Sequence, residues 1–268
     1  MHKYTNIIGI INLNDDSFYR HSRVENAESF HARVESMFED GADMIDMGAC
    51  SSRPGSIYPG EAAEWKRLKW ALDEVASSFP GRIFSVDTFS SEIVRRTYDR
   101  IGPFMVNDIT AGEADERMLS TVAELELPYI AMHSRGNGQT MDSMCDYKDV
   151  VGDVKDYFRE FGRKAEAAGV TDWILDPGFG FAKTAGQNLE MLARLHEFMD
   201  LGRPVLVGIS RKRMVWEPLG LTPETCLDVN LALQGQAALQ GAAYLRVHDV
   251  AACRDYLRRI LADCRIPC

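Results

Sequence analysis

Short apolar runs recur along the chain, and most of them end in a polar or charged residue. The first reads Ile-Ile-Gly-Ile-Ile-Asn over residues 7–12. Runs of this length that are apolar at consecutive positions are typical of strands in a parallel sheet covered on both faces. We predict eight such strands, over residues 7–12, 42–48, 82–87, 104–109, 128–133, 173–176, 204–209 and 243–248.

Segments with helical spacing of apolar residues lie between these runs. Phe30, Val34 and Met37 fall on one face of a helix predicted from about 26 to 40, which Gly41 ends. Further helices are predicted over about 60–78, 88–100, 115–126, 224–240 and 249–264, and over a segment that ends near 168. Strands that alternate with helices over this length predict an α/β fold, a (β/α)8 TIM barrel formed by one domain over 1–268. An open doubly wound sheet is the alternative.

Composition narrows the classes of function. The chain has 46% hydrophobic and 26% charged residues, which is enough to bury a full core. A net charge of −10, from 40 acidic and 30 basic residues, argues against a nucleic-acid surface. The start carries no charged leader and no stretch approaches 18 apolar residues, so we expect a cytoplasmic protein that does not bind a membrane. The six cysteines show no CxxC spacing and are expected to be reduced, with Cys50 a small loop filler rather than a nucleophile.

Polar side chains mark the points where the strands end. In a barrel all of these ends lie on one face, so we expect a ligand site there. The residues expected to converge are Asn12, the loop from Ser51 to Arg53, Asp87, Asn107, His133, Asp176, Lys212, Arg246 and His248.

The stretch 173–181 combines an apolar strand with a distinctive turn. Pro177 cannot donate to a strand ladder, so the strand ends at the carboxylate of Asp176. The glycines that follow let a ligand approach closely, and Phe179 and Phe181 offer flat apolar faces. A planar heterocycle with N–H donors on its edge would fit. The alternative is an ordinary strand-to-helix turn with two phenylalanines in the core.

Nine short motifs are spread over nearly the whole chain, and together they are specific for one family. They are 9–12, 16–18, 52–55, 85–88, 106–109, 132–133, 176–181, 210–212 and 246–249. With these motifs the chain resembles the dihydropteroate synthase family. That family joins the diphosphate ester of hydroxymethyl-dihydropterin to p-aminobenzoate, and releases diphosphate.

The resemblance implies a role for each motif. Lys212, Asp176, Arg246 and His248 would be the catalytic residues. The pterin would be bound by Asp87, Asn107, Asp176 and Lys212 between apolar walls of Ile109, Met132 and Phe179. Asn12, Arg53, Arg246 and His248 would bind the diphosphate, the last three through charge and hydrogen bonds, with Asn12 contacting the Mg²⁺ that the diphosphate carries. p-Aminobenzoate would lie against Phe18, Ser52, Pro54, Phe179, Lys212 and Arg213.

The resemblance also implies a homodimer that pairs through helices late in the chain. The first loop departs from the family pattern. Asn14-Asp15 stands where a Thr-Pro is usual, and Arg20-His21-Ser22 replaces an Asp-Gly-Gly. Two other hypotheses remain: a pterin-binding methyltransferase domain, and a catalytically silent paralogue that binds pterin, which the altered first loop favours.

Overall fold

Eight parallel strands form one sheet in the computed structural model, which describes residues 4–13, 26–50, 55–136 and 139–263. The strands are β1 (Asn6–Asn12), β2 (Met44–Gly48), β3 (Phe84–Asp87), β4 (Met105–Asp108), β5 (Tyr129–Met132), β6 (Trp173–Asp176), β7 (Leu206–Val207) and β8 (Tyr244–Val247).

The sheet closes on itself. The strand order is β6-β5-β4-β3-β2-β1-β8-β7, and a parallel bridge between Leu175 and Val205 joins its two edges. The Leu175 N–H donates to the Pro204 carbonyl across that seam, at 3.0 Å. The predicted TIM barrel is therefore confirmed, and the open-sheet alternative is wrong. Strand β7 is shorter than predicted at both ends, and Pro204, which has no N–H to add to the ladder, accounts for its later start.

Helices follow the strands in the described part of the chain. They are α1 (Ala27–Glu39), α2 (Glu61–Ser78), α3 (Ser91–Ile101), α4 (Met118–Glu124), α5 (Val150–Ala168), α6 (Ala185–Ala193), α7 (Arg213–Trp216), α8 (Leu227–Leu239) and α9 (Val250–Asp263). Ser90 is the N-cap of helix α3, and its hydroxyl accepts from the Ile93 N–H, as expected for one of the two residues that suit this cap in the sequence. The sequence did not predict α6 and α7. Among the described residues no helix has the length and apolarity needed to span a membrane.

Alternate residues of each strand face opposite sides of the barrel wall. The outward side chains pack against the helices in the main hydrophobic cluster, which includes Ile7, Ile45 and Leu245. The inward side chains form a separate apolar cluster of Ile8, Met44, Ile130, Ile174 and Leu206. The inward-facing positions nearer the carboxyl ends of the strands carry the polar residues described next.

Candidate active site

Four residues on neighbouring strands lie at one level of the barrel. Asn12, Gly48, Asp87 and Asn107 are paired in register across β1 to β4, so their side-chain positions share the inner face. Gly48 has no side chain, and a Cβ there would lie 3.5 Å from the Asp87 Cβ and 3.9 Å from Asn12 Oδ1. The glycine thus keeps a gap open between an amide oxygen and a carboxylate.

A buried carboxylate supports this level from below. Asp46 is fully buried, and its Oδ1 accepts from the Ser85 hydroxyl at 2.6 Å. Its Oδ2 accepts from Asn107 Nδ2 at 3.2 Å and from Arg246 Nε at 2.7 Å. Asp46 therefore orients both an amide and a guanidinium predicted to bind substrate. Asp46 is not among the residues predicted from the sequence, although a lone acid in a buried strand must find a partner and could have been noticed on that ground.

Arg246 joins Asp46 to Asp87 at the mouth, which is the opening of the barrel at the carboxyl ends of its strands. Its Nη2 lies 3.3 Å from Asp87 Oδ2. Burial opposes the charge of Arg246, but Asp46 and Asp87 together hold its pKa above the ordinary value. Burial raises the pKa of Asp87 to about 7, with Arg246 acting against the rise and Asp46 adding to it. Arg246 is thus a permanent cation next to an acid that titrates near neutral pH.

Asp176 and Lys212 form the opposite side of the mouth. Asp176 Oδ1 accepts from the Gly178 N–H at 2.8 Å, and Lys212 Nζ donates to the Phe179 carbonyl. Burial raises the pKa of Asp176 and lowers that of Lys212 to about 8, and the opposite charge of each group partly offsets the shift of the other. A Cβ at Gly208 would lie 3.9 Å from Asp176 Oδ2, so this glycine leaves space beside the carboxylate.

The two phenylalanines of the turn face different environments. The Phe179 ring is fully buried in the main core cluster, which does not agree with its predicted role as a wall of the site. Phe181 instead packs with Ile109, Met132 and Met141, and Lys212 Nζ lies 4.7 Å from the centre of its ring. The ring beside the cation is therefore Phe181, because successive side chains of this turn point in different directions.

The comparisons with known proteins agree with this geometry. The profile of the family described as "Pterin binding enzyme" matches residues 8–248. The chain belongs to this family. Dihydropteroate synthase of Escherichia coli K12 is 36% identical over 264 residues, which cover 97% of this chain and 92% of that protein. The enzyme of Haemophilus influenzae is 35% identical over 94% of this chain and 91% of its own length.

Solved structures of pterin-binding enzymes superpose closely on the barrel. Xanthomonas albilineans dihydropteroate synthase with 4-aminobenzoic acid has a TM-score of 0.88 at 35% identity, covering 98% of this chain and 94% of that one. Yersinia pestis dihydropteroate synthase in a sulfonamide complex has a TM-score of 0.89 at 31% identity, covering 97% and 94%.

Three successive cations after β7 point in three directions. Arg211 is buried and forms two hydrogen bonds to the Asp249 carboxylate, at 2.8 and 2.7 Å. Lys212 enters the mouth of the barrel, where its Nζ donates to the Phe179 carbonyl, and Arg213 is exposed with Glu217 2.8 Å away. Of the three, Lys212 is the one held inside the barrel mouth, while Arg211 holds the loop to the start of α9.

His248 differs from expectation in its charge. Its Nδ1 lies 3.0 Å from the Ser210 hydroxyl. Burial, followed by the nearby Arg246, lowers the pKa of His248 to about 3. The imidazole is therefore neutral at physiological pH. In this state it can form a hydrogen bond but carries no positive charge, and its predicted contact with the diphosphate stays a prediction.

Two other residues singled out in the sequence, His133 and Cys50, follow strands β5 and β2. His133 is buried and contacts Lys183, a residue that the sequence analysis did not select. Burial and the neighbouring Glu64 raise the pKa of the Cys50 thiol, which fits its predicted role as a filler. The predicted ligand residues Phe18, Ser52, Arg53 and Pro54 lie outside the described residues, as does the divergent first loop with Asn14, Asp15, Arg20 and His21.

The donors at the mouth suit a hard cation that arrives with its ligand. Asn12 presents an amide oxygen next to the gap at Gly48. The described residues contain no group of three or more acidic, histidine or cysteine side chains that could hold a metal by themselves. Mg²⁺ is usually bound through one or two protein oxygens together with substrate phosphates. Asn12 fits such a contact.

Proposed function

We propose that this protein is a dihydropteroate synthase. It would join 6-hydroxymethyl-7,8-dihydropterin diphosphate to p-aminobenzoate and release 7,8-dihydropteroate and diphosphate. The observation that carries the proposal is the mouth itself, where acids, an amide and two cations surround one opening of the barrel. The similarity to dihydropteroate synthases over nearly the full chain supports the same activity.

The pterin ring would be held by its edge. The carboxylates of Asp87 and Asp176 and the Asn107 carbonyl would accept from its amino group and ring N–H groups. Lys212 would donate to its acceptors. Ile109 and Met132 lie in the apolar cluster beside this edge and would contact the face of the ring.

The diphosphate would leave from the side of the mouth where Arg246 lies. Arg246 and His248 would donate hydrogen bonds to it, and Asn12 would contact the Mg²⁺ that comes with it. The bound ion would neutralise part of the diphosphate charge. Because Arg246 stays charged at all relevant pH values, it is suited to stabilise the negative charge that develops on the leaving oxygen.

The arylamine needs little activation. The bond between the pterin methylene carbon and the diphosphate oxygen breaks, the bonding electrons leave with diphosphate, and a delocalised pterin cation remains. The amine nitrogen then forms the new C–N bond and loses a proton to solvent. The ring of p-aminobenzoate would lie between the Phe181 ring and the stem of Lys212. In the structure without ligand the Lys212 ammonium packs against the Phe181 ring. Arg213 would meet its carboxylate.

The assembly and location of the enzyme are also part of the proposal. We infer a homodimer and a cytoplasmic enzyme. The late helix α8 leaves the apolar side chain of Leu239 55% exposed, and this supports pairing through that part of the chain. The barrel over 1–268 would act as one unit.

Turnover decides between the three hypotheses. The purified protein, incubated with the pterin diphosphate, p-aminobenzoate and Mg²⁺, should form dihydropteroate and one diphosphate per product. Product is measured by chromatography and diphosphate by a coupled assay. Pterin binding by calorimetry without any product would instead support the silent paralogue. Methyl transfer from a methylated pterin, with no diphosphate release, would support the methyltransferase.

Pterin affinity should depend on pH through two groups of the free protein. Binding needs Asp87 ionised, and its pKa of about 7 means that affinity rises as the pH increases through 7. Binding also needs Lys212 protonated, and its pKa of about 8 means that affinity falls above pH 8. Titration calorimetry with dihydropterin between pH 6 and 9 should give a narrow maximum. In Asp87→Asn the loss of affinity at low pH should be smaller, because of the two acids only Asp176 then remains to be protonated, while the decrease above pH 8 stays. A flat profile in the unmodified protein would contradict this assignment.

A further inference from the structure

A buried lysine, Lys183, lies close to Asp176 and Lys212. Lys183 follows the turn 178–181 and is only 8% exposed. Its Nζ lies 2.9 Å from His133 Nδ1, and donates to the carbonyls of Gly178 and Phe181, both at 3.0 Å. One amine therefore ties the tip of β5 to both ends of the turn after β6.

The protonation states agree with this arrangement. Burial and the nearby Lys183 lower the pKa of His133 well below its usual range, so the ring is neutral and its Nδ1 can accept. Three acceptors around one nitrogen suit the ammonium form, which has three N–H groups. Burial lowers the pKa of Lys183 to about 7, and the charge of Asp176 opposes that decrease.

Two lysines hold this turn from opposite sides. Lys183 binds the carbonyls of residues 178 and 181, while Lys212 binds the carbonyl of Phe179 from the mouth. The turn is also packed tightly, because a Cβ at Gly178 would lie 1.9 Å from the His133 carbonyl oxygen, and Gly178 has a φ of +72°. The position of the Phe181 ring is thus set by contacts on the turn.

Asp176 is held in a different way. It is the last residue of β6, where it is paired with Met132, and its carbonyl accepts from the His133 N–H at 2.9 Å. Its position follows from the strand ladder and does not require the amine of Lys183. The loss of Lys183 should therefore disturb Phe181 more than Asp176.

We propose that Lys183 is a positioning residue that fixes the turn 178–181 and so places the Phe181 ring for p-aminobenzoate. The inference rests on the proposed function, since it takes p-aminobenzoate as the ligand beside Phe181. Lys183 itself does not touch substrate. Its effect reaches the site through two backbone carbonyls.

The decisive variant is Lys183→Met, which keeps the apolar stem and removes the three N–H donors. The KM for p-aminobenzoate should rise about tenfold, because small displacements of a binding group lower efficiency strongly. The KM for the pterin diphosphate should stay within about threefold. Lys183→Arg keeps the charge but has a planar fork in place of a tetrahedral ammonium, so it should not restore the lower KM.

A matched control separates this role from a general loss of stability. Lys155 is also mostly buried, at 11% side-chain exposure, and its Nζ binds Asp200 at 2.9 Å on the outer helices. Lys155→Met should leave both KM values unchanged. If Lys183→Met does not fold, His133→Phe removes only one of the three acceptors and should raise the KM for p-aminobenzoate alone, by about threefold.

A double-mutant cycle tests the route through Phe181. Phe181→Ala should raise the KM for p-aminobenzoate, and adding Lys183→Met to it should have little further effect on that KM. Additive effects, or equal increases in the two KM values, would overturn the inference. Absence of turnover in the unmodified protein would instead refute the proposed function, so the two failures are distinguishable.

Discussion

Replacing Arg246 by alanine should lower kcat about 10²-fold to 10³-fold, the effect of removing one donor to a developing negative charge. Arg246 is the permanently charged group at the mouth, held by Asp46 and Asp87 on one side of the opening. Affinity for dihydropterin without the diphosphate should fall less, because that ligand lacks the leaving group. Steady-state kinetics and calorimetry on the same preparation measure the two effects.

The same substitution leaves Asp46 buried without its cation. Breaking a buried pair of this kind costs about 3–5 kcal/mol, and the lower end applies because the Arg246 side chain is 20% exposed. The double variant Asp46→Asn with Arg246→Ala removes the uncompensated charge. It should regain stability in denaturant unfolding without regaining kcat.

Arg254 provides a matched control for the loss of a buried arginine. It is 5% exposed and pairs with Asp43, which precedes β2 at the opposite end of the barrel. Arg254→Ala should lower the free energy of unfolding and leave kcat unchanged. If Arg246→Ala weakened pterin binding more than it slowed turnover, its assignment to the diphosphate would be wrong.

Asp176→Asn should weaken pterin binding about tenfold to a hundredfold. The substitution removes a charge-assisted hydrogen bond worth about 1.5–3 kcal/mol. The asparagine amide can offer the pterin N–H only a neutral oxygen, or its own N–H group, which cannot accept. Calorimetry with dihydropterin measures the change. An unaltered dissociation constant would contradict the placement of Asp176 at the pterin edge.

A buried acid outside the mouth serves as the control for Asp176. Asp108 accepts from the Tyr129 hydroxyl at 2.6 Å and from the N–H groups of Thr110 and Gly112, so it holds the loop after β4. Asp108→Asn should reduce stability because it disturbs these bonds. It should raise the dissociation constant for dihydropterin much less than Asp176→Asn does, because Asp108 acts on the ligand only through the loop that carries Ile109.

The sequence predicted the barrel and most of the strand tips because both depend on local pattern. Asn12, Asp87, Asn107 and Asp176 each follow an apolar run, and the parallel register then brings the first three to one level. The position of a polar residue at the end of a strand is enough for that inference.

The remaining features depend on three-dimensional contacts. The choice between Phe179 and Phe181 is set by positive φ values at Gly178 and Gly180, which redirect the chain within the turn. Lys183 looks like a surface residue in the sequence, and only the packing against β5 makes it buried. The neutral state of His248 follows from burial beside Arg246, a residue two positions away that shares the same enclosed space.

The apolar cluster of Ile8, Met44, Ile130, Ile174 and Leu206 fills the barrel beneath the polar groups. Substrates therefore enter, and products depart, through the opening at the carboxyl ends of the strands. In the proposed arrangement the pterin lies beneath p-aminobenzoate and has to bind first, and an inhibitor bound against Phe181 would trap the pterin beneath it. Trapping of this kind would make such an inhibitor more potent when the deeper ligand is abundant.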